Sequence, residues 1–65
     1  MAKKIFTRRE MINKFETLPE KKKVPILWDA LDYMQQYNGR KSYQCIFMAM
    51  GYQEDDEGRW RFYVA

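Results

Sequence analysis

The chain has no histidine, one cysteine (Cys45), two prolines and three glycines. Without histidine there is no imidazole base and no imidazole ligand, and a single cysteine excludes both a disulfide framework and a Cys/His zinc site. Metal chemistry would rest on carboxylates alone. No run of about 18 apolar residues is present, nor a basic start leading into an apolar signal region, so the chain reads as cytoplasmic with no membrane contact. What remains is 65 residues that are 46% hydrophobic and 17% aromatic, enough for one small packed domain over residues 1–65 and too few for two cores. No nucleophile sits beside a general base. An enzyme, a cofactor and a small-molecule substrate are therefore not expected.

The net charge of +3 is modest, but it is unevenly placed. Residues 1–23 hold Lys3, Lys4, Arg8, Arg9, Lys14, Lys21, Lys22 and Lys23 against Glu10, Glu16 and Glu20, whereas Glu54, Asp55, Asp56 and Glu57 outnumber Arg59 and Arg61 near the other end. A basic first third is the footprint of contact with phosphates or another acidic surface. The alternative is a solvated face that keeps the chain soluble.

Thr7-Arg8-Arg9-Glu10 is a capping box, and Met11, Ile12, Phe15 and Leu18 follow at helical spacing, so a helix is expected over 8–17. Pro25 suits a first helical turn, which places a second helix at 25–37. Its stripe is Leu27, Ala30, Leu31 and Met34, widened by Trp28, Tyr33 and Tyr37. Asn38-Gly39 closes it. Ser42 is a candidate cap for a short third helix whose Tyr43, Ile46, Phe47 and Met50 again lie at i, i+3, i+4 and i+7. Gly51 stops it. Trp60, Phe62 and Val64 then alternate with Arg61 and Tyr63, the period of a strand, and residues 51–53 are its expected hairpin partner across a polar turn at 54–58. Trp28 and Trp60 are both expected to be buried. Arg59 to Val64 is the expected edge for pairing with another chain in a homodimer or with a protein partner.

The segment Ala49-Met50-Gly51-Tyr52-Gln53-Glu54-Asp55-Asp56-Glu57-Gly58-Arg59-Trp60-Arg61-Phe62 joins an apolar helix end to Gly-Tyr, a polar Gly-containing turn and an Arg-aromatic-Arg-aromatic strand. It resembles the junction of recognition helix and wing in winged helix-turn-helix transcriptional regulators, as does the order of elements. The resemblance implies an α+β fold, a three-helix core with a C-terminal β-hairpin, and binding to double-stranded DNA. Helix 3 would be the recognition helix, with Arg40, Lys41, Ser42 and Gln44 at its start reading the major groove. Arg8, Arg9 and Lys14 would hold phosphates, and Arg59 and Arg61 would reach one from the base of the wing. The four carboxylates at 54–57 depart from this pattern, because they repel phosphate at the wing tip.

The carboxylate run lacks the Asp-x-Asp-x-Asp-Gly spacing of a calcium loop and reads as a solvated turn. Cys45 falls between stripe positions and reads as a small buried residue. Of Tyr43, Tyr52, Trp60 and Tyr63, which could stack on bases, only Tyr63, opposite in parity to Trp60 and Phe62, is expected to be exposed. Met48 lies on the far side of helix 3 from the stripe. A second functional class follows: a small phage-type interaction module that binds or inhibits a host protein through Met48, Tyr63 and the acidic turn Glu54, Asp55, Asp56 and Glu57. Clustering of Arg8, Arg9, Lys14, Arg40 and Lys41 on one face would favour DNA, and scatter would favour the module.

Overall fold

The computed structural model describes residues 4–63. Along the chain run β1 (Ile5–Phe6), α1 (Arg8–Glu16), α2 (Glu20–Gln36), α3 (Ser42–Ala49), β2 (Tyr52–Glu54) and β3 (Trp60–Phe62). Three helices and a three-stranded antiparallel sheet make an α+β domain consistent with a winged-helix-like layout. No helix of the described residues is long and apolar enough to cross a membrane.

Local chemistry sets the boundaries. The Thr7 hydroxyl accepts from the Glu10 amide at 3.2 Å, and the Thr7 amide donates to the Glu10 carboxylate at 2.9 Å, so the capping box starts α1 as its sequence requires. Helix α2 begins at Glu20, five residues before the expected start. Pro19 is the reason: its carbonyl accepts from both Lys22 and Lys23, which nucleates the helix ahead of Pro25. Pro25 then sits in the second turn, where its missing N–H deprives the Lys21 carbonyl of a helical donor; both residues are exposed, which makes the loss tolerable. The cap of α3 is Lys41 and not Ser42, with the Gln44 side-chain oxygen accepting from the Lys41 amide at 2.8 Å. Gly51 leaves α3 with φ +97°, a conformation that side chains disfavour, and its carbonyl takes the Tyr63 amide at 2.8 Å.

Strand order is β1-β3-β2, with Phe6 opposite Trp60 and Tyr52 opposite Phe62. The expected free edge at Arg59–Val64 is therefore corrected. Its strand β3 is central, flanked on one side by β2 and on the other by the two-residue β1, too short to show a period in sequence; Val64 lies outside the described residues.

Met11, Phe47 and Trp60 form the buried centre, ringed by Phe6, Tyr43, Ile46, Met48, Met50 and Tyr52. Trp60 meets Phe47 edge-to-face at 5.0 Å, and Phe47 meets Tyr43 at 5.7 Å. Met48 is thus half-buried and packed on the core, not on a far side. Cys45 is buried, as its position implies, and Tyr63 is exposed. Trp28 reverses its expectation: it is 67% exposed while Trp60 is 0% exposed. Ile12, Leu27, Leu31 and Phe62 are exposed as well. On α2 the buried Ala30 shares its side with the half-buried Ile26 and Tyr33, whereas Val24, Leu27, Trp28 and Leu31 form a second apolar stripe at the same spacing.

Candidate nucleic-acid interface

Helix α1 runs toward the start of α2, and α2 runs back toward the start of α3, so α1 and α3 begin at the same end of the molecule. Ring contacts fix this. The Arg8 guanidinium lies 5.2 Å from the centre of the Tyr43 ring, and Tyr43 stacks through Phe47 onto Trp60. A surface base is thereby tied to the middle of the core. Arg40 is held over Tyr37 at 5.5 Å, just before α3 begins. Arg9 and Lys41 are exposed beside them. The four bases Arg8, Arg9, Arg40 and Lys41 thus surround two helix N-termini, where the backbone already presents positive potential and unpaired N–H groups.

Lys14 does not belong to this group. It lies nearly two turns farther along α1, with its ammonium 4.2 Å from the centre of the Phe6 ring. Arg61 faces solvent in the middle of the sheet, opposite Ile5 and Gln53. Arg59 pairs with the Glu57 carboxylate. The fold therefore gathers four of the candidate bases at the starts of α1 and α3 and spreads three elsewhere.

Helix α3 offers no recognition surface beyond its first residue. Ser42 is its one exposed side chain, and residues 43–49 are half-buried or buried. Gln44, the expected reader of adenine, spends its oxygen on the Lys41 amide and its NH₂ on the Glu54 carboxylate at 2.9 Å. That second bond joins the start of α3 to the end of β2.

The acidic turn is likewise largely internal in its bonding. The Asp55 carboxylate accepts from the Arg59 and Glu57 amides, each at 2.9 Å, and the Arg59 amide above all holds its pKa below the ordinary 3.8. Glu54 secures Gln44 and Glu57 secures Arg59, leaving Asp56 exposed at the tip. No group of three His, Cys, Asp or Glu side chains among the described residues is placed to hold a metal ion. Helical spacing assigns Tyr43 and Tyr37 to the core and hides their part as platforms; Arg40, close to Tyr37 in the chain, signals that pair, whereas Arg8 is remote from Tyr43 in sequence and only the fold brings them together. Neither a protein-family model, nor a curated protein, nor a solved structure matches this chain.

Proposed function

We propose that this chain is a non-enzymatic, cytoplasmic DNA-binding accessory protein of winged-helix type that grips the phosphate backbone with the paired starts of α1 and α3. The observation that carries the reading is the seating of Arg8 on Tyr43, which brings the start of α1 to the start of α3, the helix that Arg40 and Lys41 immediately precede. Stability alone favours acids in a first helical turn. Bases there raise the cost of the free state, and a phosphate lowers it. With α3 buried and Gln44 engaged, contact is to phosphate and groove shape, so little sequence preference is expected. Anisotropy titrations of a labelled 20-base-pair duplex across a salt series test this. Arg40→Glu with Lys41→Glu should abolish binding, and each single neutralisation should flatten the slope of log affinity against log salt by about 0.9. Wild-type affinity in the double variant would overturn the reading.

A second reading has one observation of its own. Met48 and the exposed Tyr63 line a common groove of about 500 Å³ with Tyr33, Tyr37 and Tyr52, and the charged Arg40 and Glu54 line it too. An aromatic groove of this kind suits a peptide of a host protein, as a phage-type interaction module would require. Tyr63→Ala separates the two: it should spare duplex binding and abolish partner binding.

A further inference from the structure

Helix α2 has two apolar sides. One, with Ile26, Ala30 and Tyr33, packs into the fold, and α2 and α3 form the most extensive contact between elements. The other, Val24, Leu27, Trp28 and Leu31, is exposed. The two stripes are centred roughly 140° apart around the helix, so one residue row cannot serve both. From their fractional exposures, these four side chains leave roughly 400 Å² of apolar surface in one strip, in the range of the largest patch a monomer tolerates.

The strip is symmetric about its own middle. Positions 24, 27, 28 and 31 read the same in both directions from the point between Leu27 and Trp28. A copy of α2 laid antiparallel therefore sets Val24 level with Leu31 and Leu27 level with Trp28. Charge follows the same symmetry: the first turn holds Lys21, Lys22 and Lys23 against Glu20, and the second half holds Asp29 and Asp32. Lys21 and Asp32 lie on the same flank of the strip. Antiparallel pairing brings Lys21 of one copy to within roughly 3 Å, measured along the helix axis, of Asp32 of the other. Parallel pairing would instead set lysine against lysine.

We propose that α2 is the subunit interface of a two-fold symmetric homodimer, in which Val24, Leu27, Trp28 and Leu31 of two chains pack antiparallel. With the stems of Lys21, Asp32 and Gln35 added, two copies bury on the order of 1,000 Å² in total, the lower bound for a specific interface. The dimer is accordingly a weak one. It replaces the strand-edge pairing that the sequence suggests, and it is independent of the DNA reading.

Sedimentation equilibrium from about 1 to 200 μM tests the proposal, and the range brackets the weak affinity that so small an interface supports. The wild-type chain should pass from monomer to dimer across it, and Trp28→Glu should stay monomeric with an unchanged circular dichroism spectrum. Lys21→Asp should weaken association at least tenfold, and adding Asp32→Lys to it should restore association. Orientation is read by disulfide formation. Val24→Cys and Leu31→Cys chains should each stay uncrosslinked alone, since like positions lie roughly 10 Å apart along the axis, and should crosslink when mixed. The buried Cys45 stays out of the reaction. A wild-type monomer at 200 μM, a dimer that survives Trp28→Glu, or crosslinks within one variant alone would each overturn the proposal. So would a monomer whose α2 strip is covered by a different protein.

Discussion

Burial separates the two tryptophans that the sequence treats alike. Trp60 is enclosed by Met11 and Phe47 and is the largest fully buried side chain, although its indole N–H has no partner among the described residues. Trp60→Ala is expected to cost about 3 to 5 kcal/mol in urea unfolding, most of the stability of so small a domain. Trp28→Ala, measured at a concentration where the chain is monomeric, should cost less than about 0.5 kcal/mol. Equal costs would reverse the assignment of the two rings. Asp55 is the residue where pH enters. Its folded pKa is depressed, chiefly by the Arg59 amide, so its contribution is complete above the ordinary 3.8 and is lost as pH falls through the lowered value. An NMR titration should show the Glu57 and Arg59 amide shifts moving together with a midpoint below 3.8. A midpoint at or above that value would mean that the turn does not hold the carboxylate.

Elements differ in how far their boundaries are written in the chain. Capping chemistry is local, and α1 begins where Thr7 and Glu10 require. Helix α2 is harder, because Pro25 signals a first turn while the Pro19 carbonyl has already nucleated one. Pro25 also forfeits a hydrogen bond to the Lys21 carbonyl. Pro25→Ala should therefore raise stability by about 1 to 3 kcal/mol, read as a shift in urea midpoint at unchanged m-value. A loss of stability would show that the ring packs usefully instead. The same helix shows the limit of periodicity: Leu27, Trp28 and Leu31 recur as regularly as Ile26, Ala30 and Tyr33, and spacing alone does not say which row faces inward. The hairpin is legible from the alternation at residues 60–63, whereas two-residue β1 has no alternation to read. Burial of α3 follows from its contacts with both α2 and β2, which its own eight residues do not record.

At the scale of the whole molecule, opposite charges share one end. The Gln44–Glu54 bond sets the acidic turn beside the starts of α1 and α3, where the four clustered bases lie. The sequence separates these groups by up to 49 positions, from Arg8 to Glu57, so their adjacency is a property of the fold. Much of the turn's charge is spent internally, on Gln44, on the Arg59 and Glu57 amides and on the Arg59 side chain. Asp56 and Glu57 remain exposed and oppose a phosphate approaching the bases. Asp56→Asn with Glu57→Gln should therefore strengthen duplex binding, because it removes repulsion and releases Arg59 to act as a further base. The slope of log affinity against log salt should steepen by about 0.9 if Arg59 then takes one phosphate. Asp55 is left untouched so that the turn keeps its shape. If the double variant binds DNA as the wild type does but loses a protein partner, the acidic tip is the working surface and the interaction module takes the place of the DNA reading.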